Sequence, residues 1–184
     1  MYKRVIMYID SSNFYFHSKH LMKCNSLKYN WAGLVQMILK KCMENESCEF
    51  ERAYYYTGMP DPRIDNASYQ KQKKFLNAIR SIHFIKVKTG YILKNTTTGN
   101  HSEKGIDVIL ASDLLMDAAE DDYDTAILVS GDGDFKYCID KVKQFGKEVM
   151  VCVPVGVTCE ALKQSANKIV HVTREELNPY INNN

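Results

Sequence analysis

No stretch of this chain approaches the ~18–20 consecutive apolar residues of a membrane span, so neither a transmembrane helix nor membrane association is expected. The apolar stretch in the N-terminal MYKRVIMYID is too short for a signal-peptide core and lacks a small-residue cleavage site, so a cytoplasmic location is expected. Proline and glycine are scarce, 4 and 9 among 184 residues, which excludes a collagen-like, stalk-like or disordered chain. No CxxC occurs, and none of the 6 cysteines stands at zinc-knuckle spacing from a second Cys or His pair. A chain this long buries a core without disulfide staples, so Cys24, Cys42, Cys48, Cys138, Cys152 and Cys159 read as core or half-buried thiols. Charge of one sign is also lacking: 24 Lys and Arg against 22 Asp and Glu leave +2, from which no nucleic-acid partner follows.

What is present is alternation. Apolar, partly β-branched runs at Val5 to Ile9, Phe50 to Thr57, His83 to Lys88, Thr125 to Val129 and Glu148 to Val153 read as strands, with a short sixth at Lys168 to Val172. Between them, helical spacing predicts helices from Phe14 to about Met22, around Trp31 to Leu39, over Asn66 to Ser81 and Gly105 to Ala119, up to Gly146, and over Ala161 to Asn167. The helix from Gly105 is apolar nearly all round, as expected of an element buried between others. Residues 94 to 105 are polar and Gly/Thr-rich and predict a mobile loop, and about 174 to 184 a short C-terminal tail. One domain spanning residues 1 to 184 is expected, because the length is close to the ~150 residues of a typical domain. The alternation argues for an α/β fold with a mostly parallel sheet, whose ligands sit beyond the carboxyl ends of the strands where strand order reverses.

Two strand ends carry carboxylates, Asp10 after the first strand and Asp132 with Asp134 after the fourth, and Asp107 starts the helix before that fourth strand. In the common doubly wound order these ends are neighbours, and clustered carboxylates call for a cation. An all-oxygen donor set favours Mg²⁺ or Mn²⁺. The competing reading is that Asp10, Ser12 and Asp132 merely cap helices. Other carboxylate motifs fail. Ser12 stands where a haloacid-dehalogenase phosphatase needs its second Asp, Phe14 interrupts a DxSxS adhesion motif, and DGDF lacks the rest of an EF-hand ladder. No GxGxxG or P-loop occurs.

Taken together, IDSSN near the N-terminus, KGIDVILASDLL, and YDTAILVSGDGDF followed by GKEVMV resemble the LabA-like NYN domains of the PIN-like nuclease superfamily. The likeness is strongest over Lys3 to Asn13 and Lys104 to Val153. It implies a PIN-like three-layer α/β/α fold around a mostly parallel sheet of about five or six strands, and metal-dependent ribonuclease chemistry with RNA as partner. By motif position, Asp10, Asp107, Asp132 and Asp134 would hold Mg²⁺ or Mn²⁺, Asn13 would hold the ligand turn or a water, and Ser130 would orient the fourth-strand loop. Asp113 also matches the pattern. Six residues from Asp107, it is ~9 Å along the helix and ~120° round it, so it reads as a supporting or structural residue. Lys104 reads either as a phosphate contact or as a solvated loop lysine.

Lys71, Lys73, Lys74, Arg80 and Lys94 give the region after residue 70 a positive bias that suits RNA phosphates, and Tyr54, Tyr55, Tyr56, Tyr69 and Tyr91 could stack on bases. The alternative is a solvated helix face and tyrosines packed in the core. His17 and His20, three apart, read as surface histidines. The leading expectation is a ribonuclease. Its rivals are a catalytically inactive RNA- or protein-binding module on the same fold, a homodimer being compatible with either, and a hydrolase of small phosphoesters.

Overall fold

A computed structural model describes residues 2–23, 28–44, 46–94 and 101–182. In chain order, strand β1 (Lys3–Asp10) leads into helices α1 (Ser11–Met22) and α2 (Trp31–Cys42). Strand β2 (Cys48–Pro60), helix α3 (Asn66–Arg80), strands β3 (Ile85–Lys94) and β4 (His101–Lys104) and helix α4 (Ile106–Ala119) follow. The chain closes with β5 (Thr125–Val129), a 3₁₀ turn at Gly133–Phe135, α5 (Lys136–Gln144), β6 (Glu148–Pro154), α6 (Glu160–Lys163), β7 (Lys168–Val172) and α7 (Arg174–Leu177). Among the described residues the strands make one seven-stranded sheet in the order β4-β3-β2-β1-β5-β6-β7. β4 runs antiparallel to β3, while every other neighbouring pair is parallel.

Alternation along a strand sends successive side chains to opposite faces, and β1 shows the result. Val5, Met7 and Ile9 join a core with Phe14, Trp31, Leu34, Ile38, Leu76 and Ile79 from α1, α2 and α3. Ile6 and Tyr8 join a second core with Leu110 and Leu114 of α4 and Ile139 and Val142 of α5. Helices therefore cover both faces, and the three-layer α/β/α arrangement follows. The chain builds outward from β1 through β2 to β3, then returns to place β5 on the other side of β1. That reversal opens a crevice between the carboxyl ends of β1 and β5.

The structure departs from expectation in three places. The sheet has seven strands rather than five or six, because the segment expected to be a loop over 94–105 is partly strand. β3 runs on to Lys94, and 101–104 pair with it, backbone hydrogen bonds compensating for the lack of apolar alternation in HSEK. Residues 95–100 lie outside the described part. The C-terminal tail is not a bare tail: Thr173 and Glu176 form a reciprocal capping box for α7, and Ile181 bridges to Tyr29, with 183 and 184 outside the described residues. Finally, α4 is not enclosed all round. Its buried stripe is Ile106, Leu110, Leu114 and Ala118, whereas Val108 is 70% and Met116 55% exposed, because α4 lies in an outer layer with a solvent side.

Candidate functional site

Asp10 ends β1 and caps α1, and it is only 5% exposed. Its Oδ1 accepts the Asn13 N–H at 3.1 Å, and its Oδ2 accepts the Ser130 hydroxyl at 3.0 Å. Ser130 follows β5 directly, and its Oγ accepts the Asp132 N–H at 3.2 Å. Asn13 Oδ1 accepts the Gly131 N–H at 2.9 Å, and Asp132 Oδ1 accepts the Asp134 N–H at 3.0 Å. Two of these hydrogen bonds, Ser130 to Asp10 and Gly131 to Asn13, stitch the loop after β5 to the loop after β1 across the crevice, and the other three brace each loop from within. Ser11 fastens a third strand by donating its hydroxyl to the Tyr56 carbonyl at 2.7 Å. Capping and clustering coexist, since each cap occupies one carboxylate oxygen. Ser12, half-buried in the first turn of α1, takes no part in this network.

Burial pushes the Asp10 carboxyl up to about 6; the Asn13 and Ser130 hydrogen bonds oppose that rise, and the charges of Asp107 and Glu103 add to it. Asp107, in the first turn of α4, is also raised, by burial and then by Asp132, Asp134 and Glu103. Asp107 therefore lies within electrostatic reach of Asp132 and Asp134 on one side and of Asp10 on the other, and Glu103 acts on both Asp10 and Asp107. Its Oε1 accepts the Gly58 N–H at 2.9 Å, which ties β4 to the end of β2. Glu103 escaped the sequence reading because its place depends on the pairing of β4, a strand with no apolar period.

The donor chemistry, carboxylate oxygens only, suits a hard divalent cation. Among the described residues, however, no three His, Cys, Asp or Glu side chains come close enough together to cage an ion as they stand. Like charges repel one another, and a cation would offset that repulsion.

The remaining expected residues separate by role. Asp113 accepts the Tyr56 hydroxyl at 2.9 Å and pairs with Lys88 at 3.4 Å, while Asp117 one turn on accepts the Tyr8 hydroxyl at 2.6 Å. Both hold α4 against the sheet. Lys104 is exposed on β4, opposite Tyr91 of β3. Lys71, Lys73, Lys74 and Arg80 are exposed on α3, which packs through Leu76 and Ile79 on the sheet face opposite α4. The side chain of Lys94 lies outside the described residues. Tyr54, Tyr55 and Tyr56 are buried and offer no stacking face, whereas Tyr91 is 57% exposed. His17 and His20 pack their rings on Phe16 at 5.3 and 4.6 Å. Cys42, Cys48, Cys138, Cys152 and Cys159 are free thiols, and Cys24 lies outside the described residues. No helix among the described residues is long and apolar enough to cross a membrane.

Comparison with known proteins agrees with this architecture. The chain is 22% identical over 170 residues to the low amplitude and bright protein LabA of Synechococcus elongatus, covering 91% of this chain and 82% of that one. The crystal structure of a protein of unknown function, VPA0982 from Vibrio parahaemolyticus, superposes with a TM-score of 0.68 at 21% identity, covering 98% of this chain and 97% of the other. That likeness concerns the fold. The NYN domain model matches residues 4–173, a span that includes β1 from Arg4 onward, the stitched loops and α4. The chain belongs to the NYN domain family.

Proposed function

We propose that this protein is a ribonuclease that hydrolyses phosphodiester bonds, in single-stranded RNA, at the carboxyl ends of β1 and β5. The observation that carries the reading is Asp10: a carboxylate almost removed from water, fixed by hydrogen bonds on both oxygens, and pushed up by that burial first and by the charges of Asp107 and Glu103 after it. Such an arrangement costs stability, and structures retain it where the charge is used. Membership of the NYN family, within the PIN-like nuclease superfamily, supports the same reading. Asp10, Asp107, Asp132 and Asp134 would hold Mg²⁺ or Mn²⁺. When bound, the cation supplies activation of water at neutral pH and neutralisation of charge on the phosphoryl oxygens.

The chain's own residues do the positioning. Ser130 and the Asn13 backbone fix both oxygens of Asp10, and the Asn13 amide holds Gly131, so the Asp132–Asp134 loop keeps its place relative to β1. Tyr8 and Tyr56 hold α4, and with it Asp107, against the sheet. In the reaction, water adds across one P–O ester bond: its oxygen bonds to phosphorus, the bond to one ribose oxygen breaks, and that oxygen leaves as a hydroxyl.

A second reading, a binding module without catalysis, draws on the spacing of the carboxylates, no three of which close into a cage among the described residues. One assay separates the two. Labelled single-stranded RNA is incubated with wild type and Asp132→Asn in Mn²⁺, Mg²⁺ or EDTA, both proteins being checked for folding. Metal-dependent cleavage that vanishes in the folded variant supports the ribonuclease. No cleavage across several RNA substrates and both metals favours the binding module.

A further inference from the structure

We infer that Tyr91 and Lys104, side by side on the β3–β4 ladder, form a binding subsite for single-stranded RNA next to the acidic site, Tyr91 stacking on a base and Lys104 meeting the adjoining phosphate. The inference rests on the ribonuclease reading for its direction, but its test does not depend on cleavage.

The register of the ladder pairs Tyr91 with Lys104 and Ile92 with Glu103. Residues directly opposite on antiparallel strands project from the same face, and their successors project from the other. Glu103 and Ile92 both border the space above Gly58: a Cβ there would stand 2.7 Å from Glu103 Oε1 and 2.7 Å from Ile92 Cγ1. Tyr91 and Lys104 therefore leave the ladder from the opposite face. One four-residue strand delivers a carboxylate towards the acidic groups and a cation away from them.

The place of this pair is the rim of the site. A Tyr91 ring carbon stands 3.8 Å from where a Cβ on Gly105 would lie, and Gly105 caps α4, whose first turn carries Asp107. The three residues from Lys104 to Asp107 span at most ~10 Å of chain. Among the described residues no hydrogen bond or ion pair engages the side chain of Tyr91 or Lys104, and both are exposed. The other strand tyrosines contrast with this: Tyr8, Tyr54, Tyr55 and Tyr56 are all buried.

The chemistry selects the occupant. A polyanion must approach a group of five carboxylates, Asp10, Glu103, Asp107, Asp132 and Asp134, and Lys104 offers it a cation at their edge. An exposed ring beside that cation suits a planar base attached to the same chain. A purely apolar partner would leave Lys104 unmatched, and an acidic peptide would gain nothing from the ring. Single-stranded RNA satisfies both groups at once.

The test is equilibrium binding of a fluorescein-labelled single-stranded RNA of mixed sequence, in EDTA so that nothing is cleaved. Tyr91→Ala is expected to weaken binding by about tenfold and Tyr91→Phe to restore most of it, as base stacking on an aromatic ring requires. Lys104→Ala is expected to weaken binding several-fold and to reduce the salt dependence by about one phosphate contact, a slope change of about 0.7. Moving an abasic nucleotide along the RNA should find a position at which Tyr91→Ala costs nothing further. Tyr2→Ala, at the other end of the sheet and more exposed than Tyr91, should bind as wild type. Equal affinity of wild type and Tyr91→Ala, a Phe variant as weak as the Ala variant, or a wild type that does not bind RNA overturns the inference. Binding with this pattern and no cleavage in Mn²⁺ or Mg²⁺ would instead overturn the ribonuclease reading and leave the subsite standing.

Discussion

β1 begins and ends among carboxylates, and the two ends treat them in opposite ways. At its start, Arg4 donates through Nη2 to Asp124 at 2.8 Å and to Asp121 at 3.1 Å, and Lys147 adds a second cation to Asp121. Lys3 pairs with Glu46 and Glu148 at 2.6 and 2.7 Å. The Arg4 guanidinium holds the Asp124 carboxyl down to about 2. At the other end of this eight-residue strand, Asp10 has hydroxyl and backbone partners and is pushed up to about 6. Same residue type, same sheet, opposite shifts: charge is balanced where only stability is at stake and left in excess at the crevice, where a ligand can balance it.

Four substitutions test that contrast. The largest effect is expected for Asp107→Asn, which removes one of the uncompensated charges: RNA cleavage should fall by about 10²–10³-fold, the usual scale for losing one preorganised electrostatic group, with the thermal midpoint unchanged or raised. A variant with full activity would break the assignment of that end to catalysis. Next comes Gly90→Ala, whose Cβ would meet the Lys104 carbonyl oxygen at 2.5 Å. Overpacking against backbone should cost about 2 kcal/mol in urea unfolding, and β4 should loosen in hydrogen exchange, taking Glu103 with it.

Third, Asp10→Asn should stabilise the protein. The folded-state value of Asp10, about 6, lies above its ordinary 3.8, so the native state holds the proton more tightly; stability is greatest below pH 4 and falls as pH rises through 6. Removing the charge should recover about 2 kcal/mol at pH 7 in EDTA and flatten the stability profile between about pH 4 and 6, measured by urea unfolding. Smallest is Asp124→Asn at the balanced end. There the folded value lies below the ordinary one, so the stabilisation is present above 3.8 and lost as pH falls through about 2. The pair is part-exposed, so screening limits the loss at pH 7 to about 1 kcal/mol, and the difference from wild type should shrink on acidification. Opposite signs for these last two would sharpen the comparison; equal signs would break it.

The balanced and unbalanced ends were not equally legible in the sequence. β1, β5 and β6 announce themselves as short apolar runs because both faces of each are covered, and the carboxylates at the ends of β1 and β5 stand out against those runs. Asp10, Asn13, Ser130 and Asp132 could thus be named together before any coordinates. Their stitching could not, because the hydrogen bonds cross 118 to 120 residues of chain. Glu103 was illegible for a further reason: β4 exists through backbone pairing, and HSEK carries no apolar period to reveal it. The outward face of α4 misled in the other direction, since Val108 and Met116 read as buried by composition alone.

The hydroxyls of Tyr8 and Tyr56, bonded to Asp117 and Asp113 one turn apart, index α4 as a key indexes a shaft. A helix that slid by one residue would rotate ~100° and carry Asp107 away from the crevice, and these two bonds oppose such a slip together with the buried stripe of Ile106, Leu110, Leu114 and Ala118. The two tyrosines therefore set the phase of an acid they never touch, and this half of the site is timed from inside the core.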